Sequence, residues 1–324
     1  MRFMRVLIAG GSGVLGRSLV VQLRRAGHEV TCLGRSPVRL LAARDLGAQV
    51  VACDALDQLE LTQAVQKARP EVIVNKLTAI PATLSPRRRS EQFAATDRLR
   101  TLGGRNLVAA GRAAGARRLV AQSVAFMYQP VGGWIKAEEA PLWLDAPSEM
   151  RRSVAAIAEL EETVLTARDL KPVVLRYGYL YGPGTMLAAD GSMAAAVRRG
   201  RLPIVGKGDG HWSFIHIEDA AAATVSAMGE RAGGVYNVVD DEPAAVRDWL
   251  PVLADALGAR RPSSMPAMLV RWLAGPYAVS VMTEQRGASN DKICAELEWE
   301  PQWKSWREGF LTGLDQCLLQ SQHG

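Results

Sequence analysis

Six residues into the chain an apolar run, Val6-Leu7-Ile8-Ala9, gives way to glycines at every third position, Gly10, Gly13 and Gly16. Leu15, Leu19 and Leu23 then fall on one helical face and Gly27 supplies a stop, so the spacing predicts a strand, a turn and a helix, with a second strand over residues 28–33. Gly10 permits the tight turn, Gly13 lets a ligand approach the backbone with no Cβ in the way, and Gly16 lets the helix lie close to the strand. Unpaired N–H groups at the helix start then face an anion, and the arrangement is a place for a pyrophosphate. A purely structural turn is the plain alternative; the ordered strand, helix and second strand weigh against it.

With 324 residues and 48% hydrophobic content the chain is long enough for one large α/β domain with a smaller lobe, or two modest domains. Cys32, Cys53, Cys294 and Cys317 show neither metal-ligand nor paired redox spacing, so no metal and no disulfide framework is expected, and a reducing cytoplasm is the expected location. The cofactor strand follows Met1 to Arg5 at once, leaving no room for a signal peptide, and no apolar run reaches membrane-spanning length. A net charge of +6 invites a nucleic-acid reading. The arginines come in scattered pairs rather than a stripe with interleaved aromatics, so nucleic acid is not expected as a partner. Arg87-Arg88-Arg89, the densest run, reads as a solvated helix start, and an anionic cofactor or substrate explains the basic balance equally well.

After the second strand comes Gly34-Arg35-Ser36-Pro37. A carboxylate here would hold the ribose hydroxyls of NAD and repel the extra phosphate of NADP. Gly34 offers none and Arg35 offers a guanidinium for a 2′-phosphate, so NADP is expected, with NAD possible. Further on, a helix over 38–46 and a strand over 49–53 lead to Asp54, placed either to accept from an adenine amino group or, like Asp57, to cap the next helix. Strand four, 72–74, releases Asn75-Lys76-Leu77-Thr78-Ala79 at the sheet edge that faces ligands. A Gly- and Ala-rich helix over 97–114, strand five over 118–122 delivering Ser123, a Pro-, Gly- and Trp-rich loop over 128–147, a long helix over 148–167 and strand six over 173–176 complete the pattern.

The glycine turn, Asp54, Ser123, the run Arg176-Tyr177-Gly178-Tyr179-Leu180-Tyr181-Gly182-Pro183-Gly184, then Phe214-Ile215-His216-Ile217-Glu218-Asp219 and Val235-Tyr236-Asn237-Val238 together resemble the extended and atypical short-chain dehydrogenase/reductase (SDR) superfamily. Within it they are most similar to the NAD-dependent epimerase/dehydratase branch, over nearly the whole chain. The resemblance implies an α/β fold: a Rossmann-type doubly wound parallel sheet with a smaller C-terminal substrate-binding lobe. Residues 1–178, completed by about 202–242, would bind the dinucleotide, and 179–201 with 243–324 would form the lobe. It also implies a cofactor set of Gly10, Ser12, Gly13, Val14, Leu15, Gly16, Arg35, Asp54, Ala55, Leu77, Thr78 and Tyr177.

One part of the family pattern is missing. Members usually carry Tyr-x-x-x-Lys on the helix after strand five, a phenol whose pKa a nearby ammonium lowers so that it can exchange a proton during hydride transfer. Aligning Glu161 with the family's glutamate puts Ser153 and Ile157 at those positions. Candidate replacements are Ser123, Tyr128 and Tyr179, with Lys136 the nearest ammonium; loop packing is the ordinary alternative for Tyr128 and Lys136. Lys76 either touches a ribose or turns under the sheet, and His216 is expected to be structural, just before a cap at Asp219. Three functions remain open: an NADP(H) oxidoreductase moving hydride to or from a small carbonyl or alcohol, an epimerase or dehydratase that retains its nicotinamide, and a non-catalytic dinucleotide sensor. A last stretch, 262–282, crowds Met265, Met268, Trp272, Tyr277 and Met282 around Arg271 and is expected as core, as a wall or lid over the substrate, or as a homodimer or membrane-surface contact.

Overall fold

The computed structural model describes residues 3–81, 85 and 88–315; Arg87 and Cys317 lie outside them. The opening pattern forms as expected: β1 (Arg5–Ala9), α1 (Val14–Arg25) and β2 (Glu29–Gly34). Leu15, Leu19 and Leu23 bury the inner face of α1, and Gly27 ends it at φ 81°. The chain continues through α2 (Pro37–Asp45), β3 (Gln49–Ala52), α3 (Gln58–Ala68), β4 (Val72–Asn75), α4 (Arg89–Arg98), α5 (Gly104–Ala113), β5 (Arg118–Val124), α6 (Ser148–Thr166) and β6 (Val173–Tyr177). Next come β7 (Tyr179–Tyr181), β8 (Phe214–His216), α7 (Ile217–Ser226) and β9 (Gly234–Val238).

Seven of these strands make one wholly parallel sheet in the order β9-β6-β5-β4-β1-β2-β3. Helices cover both faces, so the strands are mostly apolar and successive side chains feed two separate cores. Val6, Ile8, Val72, Val74, Val120, Val173 and Leu175 pack with α1 and α7. Leu7, Ala9, Ile73, Leu119, Ala121 and Val174 pack with α3, α5 and α6. The alternation runs past the strand ends, where it decides which way the polar residues of the edge point.

The helix expected over 97–114 starts earlier, at Arg89, and is interrupted by one π turn, Leu99–Gly103, that joins α4 to α5. Glycines let α5 lie close: a Cβ on Gly104 would stand 2.9 Å from the Leu160 side chain, and one on Gly111 the same distance from Ile73. A third core gathers Tyr181, Val205, Trp212, Phe214, Trp249, Leu250, Leu253, Trp306 and Phe310. Parallel pairing of β7 with β8 ties it to the sheet.

His216 is the pin of that junction. Its Nδ1 accepts the Glu218 amide at 3.3 Å as the N-cap of α7, which leaves Nε2–H to donate to the Gly313 carbonyl at 3.2 Å. The expected cap, Asp219, instead accepts the Gln302 and Trp303 amides at 3.0 Å each. Burial holds the His216 pKa down at about 4 and lifts that of Asp219 to about 6. A depressed histidine binds its proton more weakly folded than unfolded. Its stabilisation is whole above about pH 6.5 and is lost as pH falls toward 4, while Asp219 acts in the opposite sense. His216→Asn keeps a capping oxygen and removes the histidine titration together with the Gly313 hydrogen bond and the ring contacts, of which only the titration varies with pH. In urea titrations the stability gap between wild type and variant should narrow by about 3 kcal/mol from pH 7 to pH 4; a gap that ignores pH contradicts the assignment.

Candidate active site

The turn after β1 is built as a cradle. Gly10 sits at φ 90°, and a Cβ there would stand 2.5 Å from the Lys76 carbonyl oxygen. A Cβ on Gly16 would lie 2.7 Å from the Gly10 carbonyl oxygen and the Gly11 backbone. Gly13 differs: its Cβ would meet nothing nearer than the Gly10 oxygen at 3.4 Å, so its outer face is open. As N-cap of α1 it brings no side-chain cap, and the first turn holds no acidic residue. The amides of Val14, Leu15 and Gly16 are therefore orphan donors at the positive end of a helix, which suits a pyrophosphate. Leu15 gives only its amide, since its side chain is buried in the core.

A cleft extends from Gly10 and Ser12 past Gly34, Arg35, Ser36 and Arg39 on one side and Ala55, Leu77 and Thr78 on the other. Ser36 caps α2 through the Arg39 amide at 3.4 Å, which places Arg39 one turn in from Arg35. Both arginines are exposed, and neither guanidinium has a hydrogen bond or ion pair among the described residues. Arg39 was missing from the sequence reading, although its spacing after the cap was a usable signal. Asp54 spends one oxygen on the Leu56 amide at 3.0 Å, and Asp57 caps α3 through the Glu60 amide at 2.9 Å.

Four expected roles fail on side-chain direction or partner. Tyr177, expected at the cofactor, follows Val173 and Leu175 into the core under α7, where its hydroxyl meets Thr224 at 2.7 Å and the Lys76 ammonium. Lys76 continues the alternation of Val72 and Val74 to the same face; burial drives its pKa well down and that of Tyr177 up. Ser123, on the face of Leu119 and Ala121, donates to Glu161 Oε1 at 2.5 Å. Glu161 also takes two hydrogen bonds from Arg176, at 2.9 and 2.6 Å. Tyr128 accepts from Arg176 at 2.9 Å and donates to Asn237 Oδ1 at 2.6 Å, and burial pushes its pKa up to about 12. Tyr128 and Ser123 are thus parts of a buried lock that fastens the 128–147 loop to β6 and β9. Tyr179 is closer to the edge, yet its hydroxyl donates to Gln285 at 2.8 Å and its phenol is raised by burial.

Ile157, aligned with the family's ammonium, lies in an apolar cluster, and Ser153, aligned with the phenol, does not. Val124, Met127, Met150, Val154 and Ile157 form one cluster with Tyr277. Ser153 donates to Asp97 Oδ2 at 2.9 Å, and Asp97, whose pKa burial raises, lies 3.5 Å from Arg100. No phenol–ammonium pair faces this cluster among the described residues.

Beside the cluster is an aromatic ladder. The Tyr179 ring lies between Phe126, at 4.4 Å, and Trp212, at 3.9 Å. The 262–282 segment divides here: the helix Pro276–Thr283 buries Tyr277, Ser280 and Met282, whereas the helix Ala267–Ala274 leaves Met268 85% and Trp272 75% exposed. Arg89, first residue of α4, places its guanidinium 5.0 Å above the Tyr277 ring. Among the described residues, no helix is long and apolar enough to cross a membrane, no acidic, His or Cys group is set to hold a metal, and Cys32, Cys53 and Cys294 are free thiols.

The chain matches the model of the NAD dependent epimerase/dehydratase family over residues 6–239. It is 47% identical over 308 residues to the 3-diazoavenalumate denitrifying reductase of a Streptomyces species, covering 95% of this chain and 99% of that protein. Among solved structures it resembles Thermus thermophilus UDP-glucose 4-epimerase in complex with NAD, with a TM-score of 0.74 at 24% identity over 96% of this chain and 98% of that one. The human epimerase family protein SDR39U1 with NADPH gives a TM-score of 0.74 at 21% identity over 96% and 99%. These two likenesses show the shared fold. With the family match over most of its length and the cradle at its start, the chain belongs to the NAD dependent epimerase/dehydratase family, and so to the NAD(P)-dependent oxidoreductases and epimerases of the SDR superfamily.

Proposed function

We propose that this protein is an NADPH-dependent reductase whose substrate accepts a hydride without taking a proton from the protein. The observation that supports the reading is Ile157, at the family's ammonium position, packed among Val124, Met127, Met150, Val154 and Tyr277, while Ser153, at the phenol's position, is bound to Asp97. A ketone becomes an alcohol only if its oxygen gains a proton, and neither Ile157 nor Ser153, whose hydroxyl is spent on Asp97, reproduces the family's phenol–ammonium pair. A diazonium group makes no such demand. Hydride adds to the carbon of R–N₂⁺, the C–N bond breaks with its electron pair leaving on nitrogen, and R–H and N₂ result while NADPH becomes NADP⁺. The name of the 47%-identical relative, a denitrifying reductase of a diazo compound, supports this class of substrate.

The nicotinamide, when bound, supplies the hydride. The chain's own part is to bind, orient and keep dry. The Val14, Leu15 and Gly16 amides hold the pyrophosphate, Arg35 and Arg39 take the 2′-phosphate, and Leu77 and Thr78 lead toward the end of β5. Structures of this fold have been solved with NADPH and with NAD; the two arginines favour NADPH here. This reading departs from the sequence expectation of a small carbonyl or alcohol and of a substitute proton donor among Ser123, Tyr128 and Tyr179.

Charge-assisted contacts to a phosphate contribute on the order of 1.5–3 kcal/mol, or about ten- to a hundredfold in affinity. Arg35→Ala should therefore weaken NADPH by about that factor and leave NADH nearly untouched in titrations of cofactor fluorescence, and Arg39→Ala should act in the same direction. Equal loss for both cofactors contradicts the assignment. The chemistry is tested by NADPH consumption against aryl diazonium salts and a ketone and aldehyde panel, each measured over the rate without protein. Turnover with release of N₂ and formation of R–H, confined to the diazonium arm, is the expected result. Turnover confined to carbonyl compounds overturns the reading.

A further inference from the structure

A cation at the first turn of a helix opposes the helix dipole, which favours acids there. α4 nevertheless opens on Arg88 and Arg89. Arg88 is answered by Glu91, with Nε 2.9 Å from the carboxylate. Arg89 is not: it is half-buried, and no carboxylate pairs with it among the described residues. Its guanidinium lies over Tyr277, a residue only 5% exposed whose hydroxyl has no hydrogen-bond partner among the described residues. Burial above all raises the nearby Tyr179 phenol, with Tyr277 adding to the rise and Arg89 opposing it. Arg89 and Tyr277 thus stand beside the Val124 and Ile157 cluster, against which the half-buried ring of Phe126 also packs, 4.4 Å from the Tyr179 ring.

We infer that Arg89, with the Tyr277 hydroxyl beside it, binds the carboxylate of a flat aromatic acid whose ring stacks on Phe126. The assignment rests on the reading above that this edge receives the substrate, and it supplies the substrate class. β4, β5 and β6 are sheet neighbours, with Asn75 level with Ala121 and Val124 level with Tyr177. A ring on Phe126 therefore lies at the same carboxyl edge as Leu77 and Thr78, where the cofactor cleft ends. An arginine suits the task because its fork matches a carboxylate in two parallel hydrogen bonds, and partial burial strengthens them.

The test is binding of cinnamate and of cinnamamide, its uncharged isostere, to the wild-type protein loaded with NADP⁺, followed by calorimetry. Cinnamate should bind about ten- to a hundredfold more tightly than the amide. Arg89→Gln should erase that preference while the amide and NADPH bind as before, and Arg89→Lys should keep part of it. Equal binding of acid and amide to wild type, no binding of either, or a preference that survives Arg89→Gln overturns the inference. Because binding is read without turnover, acid-selective binding in a protein that never consumes NADPH would sink the proposed reaction and spare the site. Diazonium turnover without a preference for acids would do the reverse.

Discussion

A parallel sheet covered on both faces gives a polar side chain only two choices, a partner inside the core or a place beyond the strand end. That constraint arranges the whole site. Lys76 and Tyr177 stay in phase with the valines before them and end face to face under α7, their polar atoms passed on to Thr224. Ser123 and Arg176 are in the other phase and end on Glu161. The edge itself is left with glycine backbone on the cofactor side and with Val124 and Ile157 on the substrate side.

The Arg176–Glu161 pair shows what such a network is for. Both side chains are almost wholly buried, and a buried pair gains little net stability over an apolar one, because each ion loses its hydration. Removing one partner alone costs about 3–5 kcal/mol, since the other stays behind unpaired. What the pair provides is position: Arg176 also holds the Tyr128 hydroxyl and the Glu138 carbonyl, each at 2.9 Å, and Asn237 closes the ring of contacts. The loop between β5 and α6 is thereby fixed, and with it Phe126 and Met127 at the mouth of the site. The residues that look most chemical in this region are the ones that hold it still.

This division explains what the sequence could disclose. The strand, three glycines and helix were legible because the constraint is local, every element lying within the first two dozen residues or so. The parallel strands were legible as short apolar runs. Ser123 and Tyr128 were misjudged because the partners that occupy them are distant, Glu161 at 38 residues and Asn237 at 109. Arg89 was lost in a run of like charges, and the helix that positions it began earlier than its periodicity suggested. The missing Tyr-x-x-x-Lys pair was plain in sequence. That Ile157 packs into an apolar cluster while Ser153 turns to Asp97 is a property of packing.

In the proposed reaction hydride reaches the substrate with no proton supplied by the protein. This is tested most directly by isotope tracing on a carboxylate-bearing aryl diazonium, using NADPH deuterated at both C4 positions in ordinary water, and ordinary NADPH in D₂O. That route predicts one deuterium on the former C–N carbon in the first case, none in the second, and the same rate per turnover in either solvent. Solvent deuterium on that carbon, or a rate that falls severalfold in D₂O, would place a proton transfer in the step and contradict it.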